Sequence, residues 1–272
     1  MAAPPADTRV RRVTVTHQRP TGLDGIVLRV RPDEPLDPIE PGRFFMLRRP
    51  DRLSPAIPRP FSIYRQLPSG ELEFLIKVMG AGTQALEASE PGDELVCIGP
   101  LGHGLPDLSE PGPPWVCVGG GIGSVPFYMA IERLADPAAA TFVYGGRTAG
   151  YLYDMERFEA LGARCLAATD DGSQGFEGNV VQLLEHRWAS GELPAQVRLL
   201  ACGPEPMMAA VARAAEARGL DCWLSLESWM GCGVGICNGC AVETVPGGPL
   251  GDWPVVKCCV DGPVFPADAI RL

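Results

Sequence analysis

The chain has 272 residues and a formal net charge of −10, with 46% hydrophobic residues, 33 Gly and 28 Pro. This length suits two or three domains with sizeable cores, and the negative charge without a basic stripe argues against nucleic acid as a partner. Ten cysteines and an N-terminus without a signal-peptide apolar core favour a cytoplasmic protein whose cysteines bind metal. The uncharged window 111–131 contains five glycines and four prolines, so we expect strand and loop rather than a membrane span.

Short runs of β-forming residues fill the region 9–102, and clusters of Gly, Pro and Asp separate them. Because no long helical pattern intervenes, these runs predict a small antiparallel β-barrel as the first domain. Residues 103–114, HGLPDLSEPGPP, are typical of a linker.

Strand and helix patterns alternate in the region 113–226, starting with the strand-like WVCVGG and the helix-like FYMAIERLA. Alternation of this kind predicts an α/β domain with a parallel sheet and helices on both faces. The last region, 227–272, is rich in Gly and Pro and has little periodicity, as expected of a small segment organised by a metal cluster.

The strongest motif is GCGVGICNGC at residues 231–240, which spaces three cysteines as C-x4-C-x2-C. Cys258 and Cys259 follow further along the chain. This is the plant-type spacing of a [2Fe–2S] cluster, and the interspersed glycines let the backbone fold tightly around it. A zinc site is the alternative, although zinc sites more often show paired C-x2-C knuckles.

Two glycine-containing turns follow predicted strands. GGGIGSVP at residues 119–126 opens a predicted helix, which favours binding of a phosphate by backbone amides and the helix N-terminus. ACGPEPMM at residues 201–208 repeats the arrangement at a later strand. A tight structural turn remains possible for both.

Three weaker motifs accompany them. RPFSIY at residues 59–64 combines a cation, an aromatic and a hydroxyl on a barrel strand, and GAGT at 80–83 could supply amides to a phosphate. TDDGS at 169–173 ends a strand with two acids that face a ribose or cap a turn. A solvated arginine and plain turns are the alternatives for these motifs.

In this order, together with CVDGPVF at residues 259–265, the motifs resemble the ferredoxin reductase-like flavoproteins. Within them, SLESWMGCGVGICNGC and CVDGPVF are most similar to the electron-transfer subunits of type B dihydroorotate dehydrogenases. The resemblance covers nearly the whole chain. It implies an FAD-binding barrel (9–102), an NAD-binding α/β domain (113–226) and a [2Fe–2S] segment (227–272).

The resemblance also implies cofactor contacts. FAD would meet a set on the barrel strands and the phosphate turn: Arg59, Pro60, Phe61, Ser62, Leu75, Ile76, Lys77, Gly82 and Thr83. NAD would meet the two glycine-containing turns: Gly119, Gly120, Gly121, Gly123, Cys202, Gly203 and Pro204. The cluster ligands would be Cys232, Cys237, Cys240 and Cys259, with Cys258 as a competing thiolate.

The function implied is electron transfer between NAD and a partner, an FMN-containing dihydroorotate dehydrogenase catalytic subunit, in a heterotetramer of pyrimidine (UMP) biosynthesis. The sequence offers no catalytic acid–base residue for dihydroorotate itself, which fits chemistry in another chain. Two alternatives remain: an NAD(P)H-linked subunit serving ferredoxin, sulfide or sulfite chemistry, and a zinc-binding interaction module.

Overall fold

The computed structural model describes residues 7–51 and 56–272. Within these residues it contains two seven-stranded sheets and a two-stranded hairpin. No helix in the described ranges combines the length and the apolar character needed to cross a membrane.

The first sheet is antiparallel throughout. Its strands are β1 (Arg9–Thr21), β2 (Gly25–Pro32), β3 (Phe44–Arg48), β4 (Arg59–Ser62), β5 (Arg65–Gln66), β6 (Leu72–Lys77) and β7 (Glu94–Leu101). They lie in the order β4-β3-β7-β1-β2-β6-β5. Alternate residues such as Val13 and Val15 of β1 point into one core with Phe45 and Phe74. The register of β1 shifts between Val15 and His17, and this irregularity helps the sheet curve around that core.

A short helix, α1 (Ala81–Glu87), follows β6. The sequence showed no long helical pattern in this region, because seven residues are too few to establish one. The helix begins at GAGT, so this motif forms a helix start rather than a strand connection.

The second region alternates strands and helices, as predicted. Its strands are β8 (Trp115–Gly120), β9 (Thr141–Gly146), β10 (Arg164–Thr169), β11 (Phe176–Glu177), β12 (Arg198–Cys202) and β13 (Cys222–Ser225). Its helices are α2 (Val125–Glu132), α3 (Met155–Ala160), α4 (Val180–Ala189) and α5 (Glu205–Glu216). Helices α2 and α3 pack on one face of the sheet through Phe127 and Phe158. Helices α4 and α5 cover the other face through Leu183 and Met208.

The last region contains β14 (Ala241–Glu243), β15 (Val255–Lys257), α6 (Cys258–Asp261) and β16 (Val264–Pro266). Strand β16 pairs antiparallel with β13 and completes the second sheet, whose order is β11-β10-β9-β8-β12-β13-β16. Every other pair in that sheet is parallel. The cysteine-containing region therefore lies against the edge of the α/β sheet. The antiparallel barrel and the parallel-sheet fold are as the sequence predicted, and the exact domain limits stay predictions.

Candidate functional site

The two glycine-containing turns meet at the carboxyl edge of the second sheet. Strands β8 and β12 are parallel neighbours, and Cys202 pairs with Gly119. A Cβ on Gly123 would lie 2.2 Å from the carbonyl oxygen of Cys202, and one on Gly120 would lie 2.5 Å from the sulfur of Met207. Glycine is therefore required at position 123, because the two backbones approach each other directly there.

The centre of this edge faces open space. Gly121 has a φ of +53°, and no atom lies within 4 Å of the position of a Cβ there. A single turn of 3₁₀ helix over Gly121–Ser124 leads directly into α2. Ligands of open α/β sheets bind beyond the carboxyl ends of the strands, and amides at a helix start favour an anion. These residues fit the pyrophosphate of a dinucleotide.

Ser225 and Glu227, which are not among the site residues predicted from the sequence, lie beside Cys202. Burial raises the pKa of the Cys202 thiol well above its usual range, the charge of nearby Glu227 adds to the shift, and a hydrogen bond with Ser225 opposes it. Desolvation raises the pKa of Glu227, while the charge of Lys77 lowers it. Lys77 on the barrel and Glu227 after β13 therefore face the same junction. Ser225 and Glu227 belong to the motif SLES at residues 225–228, which is the signal in the sequence that could have identified them.

The residues predicted to bind the FAD diphosphate share one cleft. Arg59 and Gly82 line it together with a set dominated by arginine and apolar residues: Leu47, Arg48, Arg49, Ile57 and Ala85. The Nη1 of Arg59 donates to the carbonyl oxygen of Ile57 at 2.7 Å. Arg49 forms ion pairs with Asp51 and Asp93. The three guanidinium groups around this narrow cleft supply positive charge of the kind that binds a diphosphate.

The remaining predicted FAD residues differ in exposure. Pro60, Phe61 and Ser62 are half-buried on β4, which pairs with β3. On β6, the side chains of Leu75 and Ile76 are buried, whereas Lys77 is partly exposed and lies over the ring of Tyr151, 5.2 Å from its centre. Only Lys77 of this strand therefore offers a side chain to a ligand.

The hydroxyl of Thr83 is used within α1. It accepts from the amides of Met79 at 2.8 Å and of Gly80 at 3.1 Å, and donates to the carbonyl oxygen of Gly80 at 3.0 Å. Thr83 thus shapes the helix start, while Gly82 faces the arginine-containing cleft.

Asp171 caps the turn formed by TDDGS, which was one of the two alternatives for this motif. Its carboxylate accepts from the amide of Ser173 at 3.0 Å and from the hydroxyl of the same residue at 2.6 Å. Both bonds lie within the turn itself, and they lower the pKa of Asp171.

The four cysteines selected as cluster ligands converge in two pairs. The amide of Cys237 donates to the sulfur of Cys232 at 3.4 Å, and the two thiols also interact. The amide of Cys259 donates to the sulfur of Cys240 at 3.5 Å, and these thiols interact as well. Cys259 is in turn close enough to Cys232 for their charges to interact. Two pairs of close thiols with amide donors, linked through Cys259 and Cys232, fit an iron–sulfur cluster.

Cys258 differs from Cys259. Its amide donates to the carbonyl oxygen of Cys240 at 2.9 Å, but its side chain is fully buried in the apolar core. Burial raises the pKa of its thiol to about 12. Cys259 is buried as well, but its thiol forms a hydrogen bond with that of Cys240, so Cys259 fits the fourth ligand position better. In the described residues, no three His, Cys, Asp or Glu side chains are arranged around a single metal ion.

Backbone packing sets the position of the array. A Cβ on Gly233, whose φ is +71°, would lie 2.6 Å from Cγ of Met46 in β3. The Nζ of Lys257 donates to the carbonyl oxygen of Gly235 at 2.6 Å. The array thus lies against the barrel on one side and is exposed on the other, where Trp229 is 92% and Ile236 is 81% accessible.

Comparison with known proteins places the chain in a family. Residues 227–271 match the model described as the iron-sulfur cluster binding domain of dihydroorotate dehydrogenase B. Two relatives bear the name "dihydroorotate dehydrogenase B (NAD(+)), electron transfer subunit". That of Geobacillus thermodenitrificans is 36% identical over 86% of this chain and 87% of its own. That of Desulforamulus reducens is 34% identical over 84% of this chain and 85% of its own.

Among solved structures, a NADH-dependent reduced ferredoxin-NADP oxidoreductase is similar, with a TM-score of 0.81 and 25% identity. The match covers 95% of this chain and 89% of that one. It extends over barrel, parallel sheet and C-terminal region together, and so confirms the predicted ferredoxin reductase-like fold. Given the identity and coverage of its relatives, the chain belongs to the family of electron transfer subunits of dihydroorotate dehydrogenase B.

Proposed function

We propose that this chain carries electrons between NAD and an FMN-containing catalytic subunit that oxidises dihydroorotate, as a step of pyrimidine (UMP) biosynthesis. The observation that carries the proposal is the convergence of Cys232, Cys237, Cys240 and Cys259 at an exposed end of a flavin reductase fold. The family supports a role as an oxidoreductase subunit.

The predicted cofactor set of FAD, a [2Fe–2S] cluster and NAD agrees with the family model and the fold. When bound, the flavin would exchange a hydride with the nicotinamide and single electrons with the cluster. The protein's task is to hold these three groups in order. Arg59 and the cleft that it shares with Gly82 would hold the FAD diphosphate.

The edge formed by Gly119–Gly123 and Cys202–Pro204 would hold the dinucleotide. Its exposed amides at Gly121 would bind the pyrophosphate, and Cys202 and Glu227 would lie next to the reacting rings. Lys77 reaches the same junction from the barrel. The two halves of the molecule would thus bring the nicotinamide and the flavin face to face.

The cluster would be the exit toward the partner. Cys237 is exposed, whereas Cys240 and Cys259 are buried, so the array presents one side to solvent. Exposed apolar side chains occur in the same region, namely Trp229, Ile236 and Trp253. Large exposed apolar groups next to a redox centre favour a protein–protein interface. We infer that the catalytic subunit binds here, within a heterotetramer.

A second candidate is a subunit that delivers electrons to a ferredoxin-type acceptor. The structural similarity to a reduced ferredoxin-NADP oxidoreductase favours it. The barrel and the nucleotide edge would serve both functions equally. The identity of the partner at the array separates them.

Reconstitution tests the proposal. The chain is purified anaerobically and mixed with the FMN-containing catalytic subunit, and NADH formation from dihydroorotate is recorded. We expect activity that requires both chains and is weakened at least tenfold at limiting partner by Trp229→Ser. Val10→Ser, which removes an exposed apolar side chain from the barrel strand β1, is the surface control. Absence of NADH formation by the reconstituted pair, together with reduction of an added ferredoxin, would favour the second candidate.

A further inference from the structure

A buried carboxylate joins the two halves of the molecule. Asp154 immediately precedes α3 in the α/β region, and its side chain is fully inaccessible to solvent. Its backbone has a φ of +51°, a left-handed conformation that is uncommon for a residue other than glycine. Such a conformation persists where surrounding contacts fix it.

Those contacts come from the barrel. Both guanidinium Nη atoms of Arg19 donate to the carboxylate, one of them to Oδ1 at 2.8 Å. The hydroxyl of Thr21 donates to Oδ1 at 2.6 Å, and the hydroxyl of Tyr64 donates to Oδ2 at 3.0 Å. The amide of Asp154 in turn donates to the hydroxyl of Thr21 at 3.2 Å. One side chain of the α/β region thus holds three barrel residues.

A second buried carboxylate continues the network. Glu73 of β6 forms an ion pair with Arg29 at 2.8 Å and another with Arg157 of α3 at 3.4 Å. Arg157 also lies 3.6 Å from Asp154 and stacks over the ring of Tyr64. Burial alone would raise the pKa of Asp154, but hydrogen bonds from Arg19 and Thr21 lower it. The carboxylate is therefore charged at neutral pH.

The network spans the two cofactor sites. Tyr64 lies two residues after the flavin motif RPFS, and its ring contacts that of Tyr128 in α2. Asp154 lies on the connection that leaves β9, and β9 pairs with β8 at the dinucleotide edge, Gly145 with Gly120. A displacement at Asp154 would therefore change the position of the dinucleotide edge relative to the flavin motif.

We propose that Asp154 is a positioning residue for hydride transfer, which fixes the α/β region on the barrel so that the nicotinamide and flavin rings meet at reacting distance. The proposal rests on the proposed function. The transfer moves two electrons and one proton from NADH to the flavin, with a second proton taken from solvent. Charge-assisted hydrogen bonds to a planar guanidinium fix direction as well as distance, and a misplacement of about 1 Å costs up to about a hundredfold in rate.

The test compares Asp154→Asn with the unaltered complex. The amide keeps the size of the side chain but removes the charge that pairs with Arg19 and Arg157. We expect the stopped-flow rate of flavin reduction by saturating NADH to fall by about 10- to 100-fold. The dissociation constant for NADH should change less than twofold, because the dinucleotide edge itself is intact. EPR-detected reduction of the cluster by dihydroorotate, which enters from the opposite end, should be unchanged.

The control is Glu185→Gln, which removes an exposed carboxylate paired with Arg218 in the same α/β region. It should leave all three readouts unchanged. If Asp154→Asn does not fold, two other variants test the same contacts. Thr21→Val removes two hydrogen bonds with Asp154 and Tyr64→Phe removes one, and each should slow flavin reduction several-fold.

An unchanged rate of flavin reduction in a variant with a lowered melting temperature would show a purely structural role and overturn the proposal. So would a weaker NADH affinity with an unchanged rate at saturation. If dihydroorotate fails to reduce the cluster even in the unaltered complex, the proposed function fails, whereas the NADH comparison still decides the role of Asp154.

Discussion

The dinucleotide edge and the cysteine array are both glycine-rich, yet the protein holds them in different ways. At the edge, Gly120 and Gly123 are buried, and the backbone of Cys202 and Gly203 leaves no room for a side chain at Gly123. In the array, Ile236 and Cys237 are exposed, and residues 231–240 form no helix or strand. Packing of the chain determines the backbone conformation of the dinucleotide edge, whereas bonds to a metal cluster would determine that of the cysteine array.

The largest expected effect concerns the array and its fourth ligand. Cys259→Ala should lose most of the iron and sulfide and raise amide hydrogen exchange across residues 227–272, because the thiolate partner of Cys240 is removed. NADH binding at the packed edge should persist. Metal analysis and exchange mass spectrometry measure both effects.

Cys258→Ala is the matched control. It removes a neighbouring, fully buried thiol, so the cluster should remain, with a modest loss of stability from the small cavity. The opposite pattern, with the cluster lost from Cys258→Ala and kept in Cys259→Ala, would assign the fourth ligand to Cys258.

Gly123→Ala tests the packed edge. Its Cβ would lie 2.2 Å from the carbonyl oxygen of Cys202, so the two turns must separate. We expect a loss of about 1–3 kcal/mol in the free energy of unfolding and a weaker affinity for NADH, with the cluster retained. Chemical denaturation and NADH titration measure these quantities.

Gly162→Ala provides the comparison for that variant. Gly162, unlike Gly123, has a positive φ of +85°, and no atom lies within 4 Å of its Cβ position. Only backbone strain of about 1 kcal/mol is expected, with unchanged NADH affinity. Equal effects of the two variants on NADH binding would argue that the close approach at Gly123 is not what shapes the edge.

The smallest expected effect is on the reduction potential of the cluster. The ammonium of Lys257 contacts the array through the carbonyl oxygen of Gly235, and its charge acts on Cys240. Lys257→Met should disfavour cluster reduction by up to about tenfold, equivalent to about 59 mV for one electron. Lys257→Arg should preserve the potential in an EPR-monitored titration. A shift of the same size in both variants would indicate that loop geometry, rather than charge, sets the potential.

Much of the fold could be predicted from local patterns. The β-forming run FFMLR coincides with β3, and WVCVGG coincides with β8, because alternating or continuous apolar residues identify strands. Helices α1 and α3 were missed because they have only seven and six residues. The pairing of β16 with β13 depends on contacts distant in sequence, so no local pattern announces it.

The candidate site was predictable to a similar degree. The two turns at Gly119 and Cys202 could be placed together, because parallel strands bring their carboxyl ends to one edge. The position of Glu227 beside Cys202 and Lys77, and the buried network around Asp154, could not be predicted. Both join residues from the barrel and the α/β region, and only the packing of the two sheets brings them together.

Spectroscopy of the purified chain tests the proposed cofactors most directly. The anaerobically purified chain is analysed for flavin, iron and sulfide, and NADH is then added while visible absorption and EPR spectra are recorded. We expect about one FAD, two iron and two sulfide per chain, bleaching of the flavin and a signal from the reduced [2Fe–2S] cluster. A colourless protein with stoichiometric zinc and no flavin would contradict the proposed electron-transfer function.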